Sequence, residues 1–116
     1  MRNSLSDILI DGDKPQAFHI YRDSHKRRFT LSFCFADGSR LVLPYRHLTS
    51  VKYDGDGVIN IKFVAEEIEL TGSDIGSLFD AISRGDVCRI FERSSDQLES
   101  NDSAAYVRTI RTTSMS

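Results

Sequence analysis

The chain has 116 residues, a formal net charge of −2, and 40% hydrophobic and 28% charged residues. Such a length holds one domain core and falls short of two, no apolar run reaches the roughly 20 residues of a membrane-crossing helix, and the slightly acidic balance gives no global attraction to nucleic acid or anionic lipid. Cys34 and Cys88 are too few for a disulfide framework and lie in apolar segments that suit small buried thiols.

Residues 1–16 read as a partly ordered arm. Their short apolar pieces are broken by Asp7, Asp11 and Asp13, without the continuous apolar centre of a secretory signal, so a cytoplasmic location is expected. A single domain is expected over 17–93, opening with a short strand at Phe18-His19-Ile20-Tyr21. The run Arg22-Asp23-Ser24-His25-Lys26-Arg27-Arg28 then reads as a charged loop. From Phe29 the pattern alternates: Phe29, Leu31, Phe33 and Phe35 share one face, and Thr30, Ser32 and Cys34 the other. Asp37-Gly38 supplies the turn of a hairpin, and Leu41-Val42-Leu43 resumes the extended pattern. Pro44 has no N–H to donate and marks a strand end or a sheet edge.

Pro44-Tyr45-Arg46-His47 reads as a corner. A second hairpin is predicted from strands at 50–53 and 58–63 around Asp54-Gly55-Asp56-Gly57, with Val51, Tyr53, Ile59, Ile61 and Phe63 alternating against polar neighbours. Ala65-Glu66 reads as a turn before a short fifth strand, where Ile68 and Leu70 alternate with Glu67 and Glu69 at a solvated edge.

At Gly72-Ser73 the period changes. Ile75, Leu78, Phe79 and Ile82 stand at i, i+3, i+4 and i+7, which predicts a helix over 74–84 with one apolar face. Ser73 is the expected N-cap, Asp74 suits the positive end of the helix dipole, and Arg84-Gly85 closes the other end. Residues 87–92 read as a last strand. From Ser94 onward Ser, Thr, Asp and Asn dominate and no period is sustained, so 94–116 reads as a flexible polar tail. Tyr106, Val107 and Ile110 share a helical spacing there, an element that would order against a partner.

The expected fold is α+β: an antiparallel β-meander forming a twisted sheet or a partly open barrel or roll, covered by the helix at 74–84 and followed by a short strand. A consecutive meander followed by a helix, over 18–92, resembles the pleckstrin-homology-like rolls in its order of elements. The strand after the helix departs from a roll that ends in its helix. The resemblance implies a roll and transfers no lipid-binding or ligand residue to this chain.

No catalytic, cofactor or metal pattern emerges. Asp54-Gly55-Asp56-Gly57 opens like a cation loop, but Val58 stands at the fifth place and Ala65 at the twelfth, where an EF-hand needs oxygen ligands. A hairpin turn accounts for it. His19, His25 and His47 lack metal-ligand spacing, and neither a GxSxG elbow nor a glycine-rich phosphate loop is present.

Three candidate contacts are left. Arg22, Lys26, Arg27 and Arg28, beside Phe29, could hold phosphates while the ring stacks a base, although surface loops are commonly charged for solubility alone. Tyr45, Arg46 and His47 could line a pocket, although a turn whose tyrosine packs on the sheet explains the same residues. Unpaired sheet edges, finally, invite a strand from another chain. The expectation is a non-enzymatic binding or assembly module acting through protein–protein contacts, as a homo-oligomer or with a protein partner. The alternative is single-stranded nucleic acid or a phosphate ligand at the basic loop. A small enzyme with a pocket near Tyr45 and His47 ranks third.

Overall fold

The computed structural model describes residues 17–21, 29–93 and 105–114. The arm expected at 1–16, the basic run 22–28 and the tail segment 94–104 lie outside the described residues. Eight strands follow in chain order: β1 (Phe18–Ile20), β2 (Thr30–Cys34), β3 (Arg40–Pro44), β4 (Leu48–Tyr53), β5 (Val58–Phe63), β6 (Glu66–Ser73), β7 (Val87–Phe91) and β8 (Tyr106–Ser114). One helix, α1 (Gly76–Ser83), joins β6 to β7.

Both hairpins form where the Asp-Gly signals stand, and in each an aspartate closes the turn. Between β2 and β3 the Asp37 Oδ1 accepts the Ser39 N–H at 2.8 Å and the Ser39 hydroxyl at 2.6 Å, while Gly38 takes φ +95°. The Ser39 hydroxyl and N–H hold the Asp37 carboxyl below its ordinary range. Between β4 and β5 the Asp54 Oδ1 accepts N–H groups from Asp56 at 2.7 Å and Val58 at 3.0 Å. These are side-chain-to-backbone turns of the kind aspartate favours.

The strands separate into two four-stranded sheets, ordered β1-β7-β2-β3 and β4-β5-β6-β8, which do not close into a barrel. The break falls at the Pro44 corner. Tyr45–His47 form a single 3₁₀ turn between extended Pro44 and Leu48, and the chain leaves the first sheet there to start the second. The second sheet is antiparallel throughout. In the first, β7 pairs antiparallel with β1 and parallel with β2, so the strand after the helix is inserted into the sheet's centre.

The apolar faces of the two sheets meet. Leu31 and Phe33 of β2, Ile59, Ile61 and Phe63 of β5, Ile68 and Leu70 of β6, and Ile90 of β7 are buried in one core. Phe33 and Phe63 join the sheets edge to face, with ring centroids 6.3 Å apart and planes at 87°. The helix packs on β4 and β7. Its Ile75, Leu78 and Ile82 are fully buried, as the apolar spacing predicts, and Phe79 lies 5.5 Å from the Tyr53 ring. At its C-terminus the Gly85 N–H reaches Ile82 C=O at 2.9 Å and the Asp86 N–H reaches Ala81 C=O at 3.0 Å. Gly85, at φ +75°, thus closes a Schellman motif.

Four details differ from the expectation, each for a local reason. The helix starts later, because β6 runs through Ser73, whose backbone is opposite Tyr106; Ile75 takes the N-cap position without a side-chain cap bond. The fifth meander strand, β6, has eight residues and begins at Glu66, the turn being Val64-Ala65, so Glu67 and Glu69 lie on the wet face of a central strand rather than at an edge. Their cross-strand neighbours are Lys62 and Arg111, of opposite charge. Phe29, expected in the core, is 68% exposed because it lies just before the start of β2.

The fourth difference concerns the tail. Residues 106–114 form β8, paired along the whole of β6, with Val107 and Ile110 buried. Thr71 faces Thr109 while Gly72 faces Val107, which makes Arg108 an extra residue in the ladder. The bulge puts two inward side chains three positions apart, a spacing that imitates a helix.

Candidate functional site

The Pro44 corner is filled. Tyr45 is buried among core residues, and its hydroxyl donates to the Val87 carbonyl at 2.7 Å. Burial raises its phenol above the ordinary value. Arg46 and His47 are exposed, and the His47 carbonyl accepts the Val64 N–H at 2.9 Å. The 3₁₀ turn therefore sends Tyr45 inward and the other two outward. Tyr45 and His47 do not converge, and the tyrosine acts as a strut between the corner and β7.

Of the four basic candidates, Arg22, Lys26, Arg27 and Arg28, none falls among the described residues. Their flanks do. The Tyr21 hydroxyl donates to the Thr30 carbonyl and accepts the Thr30 N–H at 3.0 Å, which fastens the end of β1 to the start of β2. Phe29 stands exposed beside that fastening. The outward face of the first sheet carries Arg40 and Arg89, both exposed, along with Ser32, Cys34 and Phe91. His19 packs edge to face on Phe91 with centroids 4.7 Å apart. Cys88 is half-buried; its Sγ lies 3.4 Å from the His19 carbonyl, and burial pushes its thiol up.

The sheet edges are unequal. The outer side of β8 is partly occupied: the Arg93 N–H donates to Val107 C=O at 2.9 Å, and the Ile110 N–H donates to Glu92 Oε2 at 3.0 Å. The other oxygen of Glu92 accepts the Ala36 N–H at 2.9 Å, so one carboxylate ties the β2–β3 turn to the last strand. Strand β4 lies against α1, and β1 has three residues. The end of β8 is polar, with Arg111, Thr112, Thr113 and Ser114 exposed.

At β3 the side chains are apolar. Val42 is 52% exposed, and Leu41 and Leu43 are only partly buried, since β3 is the outermost strand of its sheet among the described residues. The Phe35 N–H bonds Ser39 C=O at 2.8 Å and the Tyr45 N–H bonds Phe29 C=O at 3.2 Å. These two bonds fix the phase of the ladder. Positions 39, 41, 43 and 45 turn their backbone groups toward β2, and 40, 42 and 44 turn theirs away. Arg40 and Val42 thus offer an N–H and a C=O each to a neighbouring strand, and Pro44 offers a carbonyl alone. Sequence reading anticipated unpaired edges and gave Pro44 a strand end or an edge, but not that Val42 would be the exposed centre of this strand.

Compared with protein-family models, with curated proteins and with solved structures, the chain has no match.

Proposed function

We propose that this protein is a non-enzymatic binding or assembly module that contacts another polypeptide through the β3 edge. The observation that carries this reading is the apolar centre of that edge, where Val42 stands 52% exposed between the partly buried Leu41 and Leu43, with the backbone groups of Arg40, Val42 and Pro44 directed away from β2. Exposed apolar edge strands are sites of strand addition, and proteins usually blunt them with charge or proline. Here Arg40 and Pro44 stand at the two ends and bound the segment, while its middle carries no charge.

A photocrosslinking amino acid at exposed Arg40, in the full chain in its own cells, tests the reading. A light-dependent protein adduct is expected, and the additional substitution Val42→Pro should abolish it. Proline removes an N–H that makes no bond to β2, so the hairpin keeps its ladder. Absence of an adduct, or an adduct indifferent to Val42→Pro, counts against the reading.

A second reading, contact with single-stranded nucleic acid or a phosphate ligand, is favoured by the exposure of Phe29 directly after the basic run. Arg40 and Arg89 on the adjoining outward face add positive charge. Fluorescence anisotropy with a single-stranded oligonucleotide at low salt should show binding that weakens at least about tenfold in Phe29→Ala, as expected for loss of one stacked base. Binding unchanged by that substitution, or no binding, removes this reading.

A further inference from the structure

We infer that the polypeptide added to the β3 edge is a second copy of this chain, paired antiparallel, β3 to β3, about a two-fold axis at Val42. This rests on the strand-addition reading above and names its partner. An edge strand pairs well with itself when a two-fold axis brings like chemistry together, and the side chains of β3 satisfy that condition. With Val42 opposite its copy, Leu41 faces the partner's Leu43 and Leu43 faces the partner's Leu41. Every partly exposed apolar side chain of the strand then meets an apolar one. The single charge of the segment, Arg40, falls opposite the uncharged Pro44 of the other copy, so the two guanidinium groups lie at opposite rims and no like charges oppose.

The backbone phase agrees with this register. Positions 40, 42 and 44 turn their polar groups outward, and these are the positions that the axis sets against one another as hydrogen-bonding pairs. The two Val42 residues exchange both of their bonds. Each Arg40 N–H reaches a Pro44 carbonyl. Proline has no N–H to return, so each Arg40 carbonyl faces solvent at the rim, where water satisfies it. Shifting the axis to Leu41 would pair the backbone as well, but it would set Val42 against Arg40 and Leu43 against the polar Ser39. The apolar match selects Val42. The resulting assembly joins two four-stranded sheets into one continuous eight-stranded sheet and uses isologous symmetry, the commonest closed arrangement.

The test combines sedimentation equilibrium, amide exchange and a cysteine probe on the full chain. Between micromolar and millimolar concentration a monomer–dimer equilibrium is expected, with the Arg40 and Val42 amides becoming protected as the dimer forms. Val42→Pro, which deletes both bonds at the axis, should raise the dissociation constant at least about thirtyfold. In a Cys34→Ser, Cys88→Ser background, Val42→Cys should form an intermolecular disulfide, because residues opposed in such a pair have Cα atoms about 5.5 Å apart, within disulfide reach. Arg40→Cys should not.

A strict monomer across this range overturns the inference. So does a dimer in which the Arg40 and Val42 amides exchange as in the monomer, or one indifferent to Val42→Pro. If the chain is monomeric while the Arg40 photocrosslink still captures a different polypeptide in a Val42→Pro-sensitive manner, the second copy fails and the edge reading stands. If both are negative, both fail.

Discussion

Phe63→Ala is expected to lower the free energy of unfolding by about 3–5 kcal/mol, the usual range for truncating a buried phenylalanine. Phe63 is 2% exposed, and it is the side chain through which the second sheet meets Phe33 of the first. The site cannot collapse easily, since strands on both sides are fixed by their own ladders, and a cavity between two sheets leaves both faces without partner atoms. Urea unfolding should show a lower midpoint at an unchanged slope. Because such a loss is a large fraction of ordinary domain stability, Phe63→Leu provides a milder variant, expected to cost less than about half as much. A double-mutant cycle with Phe33→Leu should then return a coupling of about 0.5–1.5 kcal/mol for the ring pair. Val64→Ala is the control: the next residue is 61% exposed, and its truncation should stay within about 0.5 kcal/mol of neutral. Equal effects at 63 and 64 would contradict the packing described.

The same substitution at two glycines should give opposite outcomes. A Cβ on Gly72 would collide with the Tyr106 carbonyl oxygen and stand 2.9 Å from the Val107 Cα. Both obstacles are backbone, so neither can rotate away. Gly72→Ala is therefore expected to cost about 3 kcal/mol, the upper part of the range for overpacking. The loss should be concentrated where β8 crosses the bulge. Amide exchange of residues 107–111 should accelerate more than that of β5, since β8 can detach while the hairpins persist. At Gly76 the added Cβ would meet the edge of the Tyr53 ring at 3.6 Å, an ordinary contact. There alanine also restricts the unfolded chain and favours the helix, so Gly76→Ala should lie within about 0.5 kcal/mol of neutral, on the stabilising side. A Gly72→Ala protein as stable as the parent would show that β8 does not approach β6 as closely as described.

Much of the meander was legible because its signals are local. Asp37 and Asp54 close their turns with bonds to backbone two and four residues away, and alternation through Ile59, Ile61 and Phe63 needs no knowledge of the partner sheet. The helix face was legible for the same reason, as Ile75, Leu78 and Ile82 repeat at the helical period. What escaped depends on distant chain. Strand β8 has only two buried residues, separated by a bulge that exists because β6 lies opposite, so neither alternation nor apolar density marked it. Strand β7 was read at 87–92, but the burial of both Val87 and Ile90 at a spacing of three arises where the β1–β7 register shifts. The division into two sheets was equally hidden: consecutive strands β3 and β4 look like meander neighbours, and the 3₁₀ turn at Tyr45–His47 between them, its tyrosine held to Val87, carries no periodic signal. At the candidate site, Pro44 announced an edge, whereas the outward phase of Val42 required the observed bonds at Ser39 and Tyr45.

The central place of β7 bears on how the chain folds as well as on how it is held. Both hairpins can close from neighbouring residues soon after they are synthesised, but β2 pairs Ser32 with Arg89, and among the described residues β1 has its strand pairing with β7 alone. Until residues 87–91 arrive, β2 has one open side and β1 lacks its strand partner, held near β2 by Tyr21. Closing such long-range pairs is slow relative to hairpin formation. The rate-limiting event is accordingly expected to be the docking of β7, carried by α1, into a gap whose two walls have waited since the first third of the chain emerged.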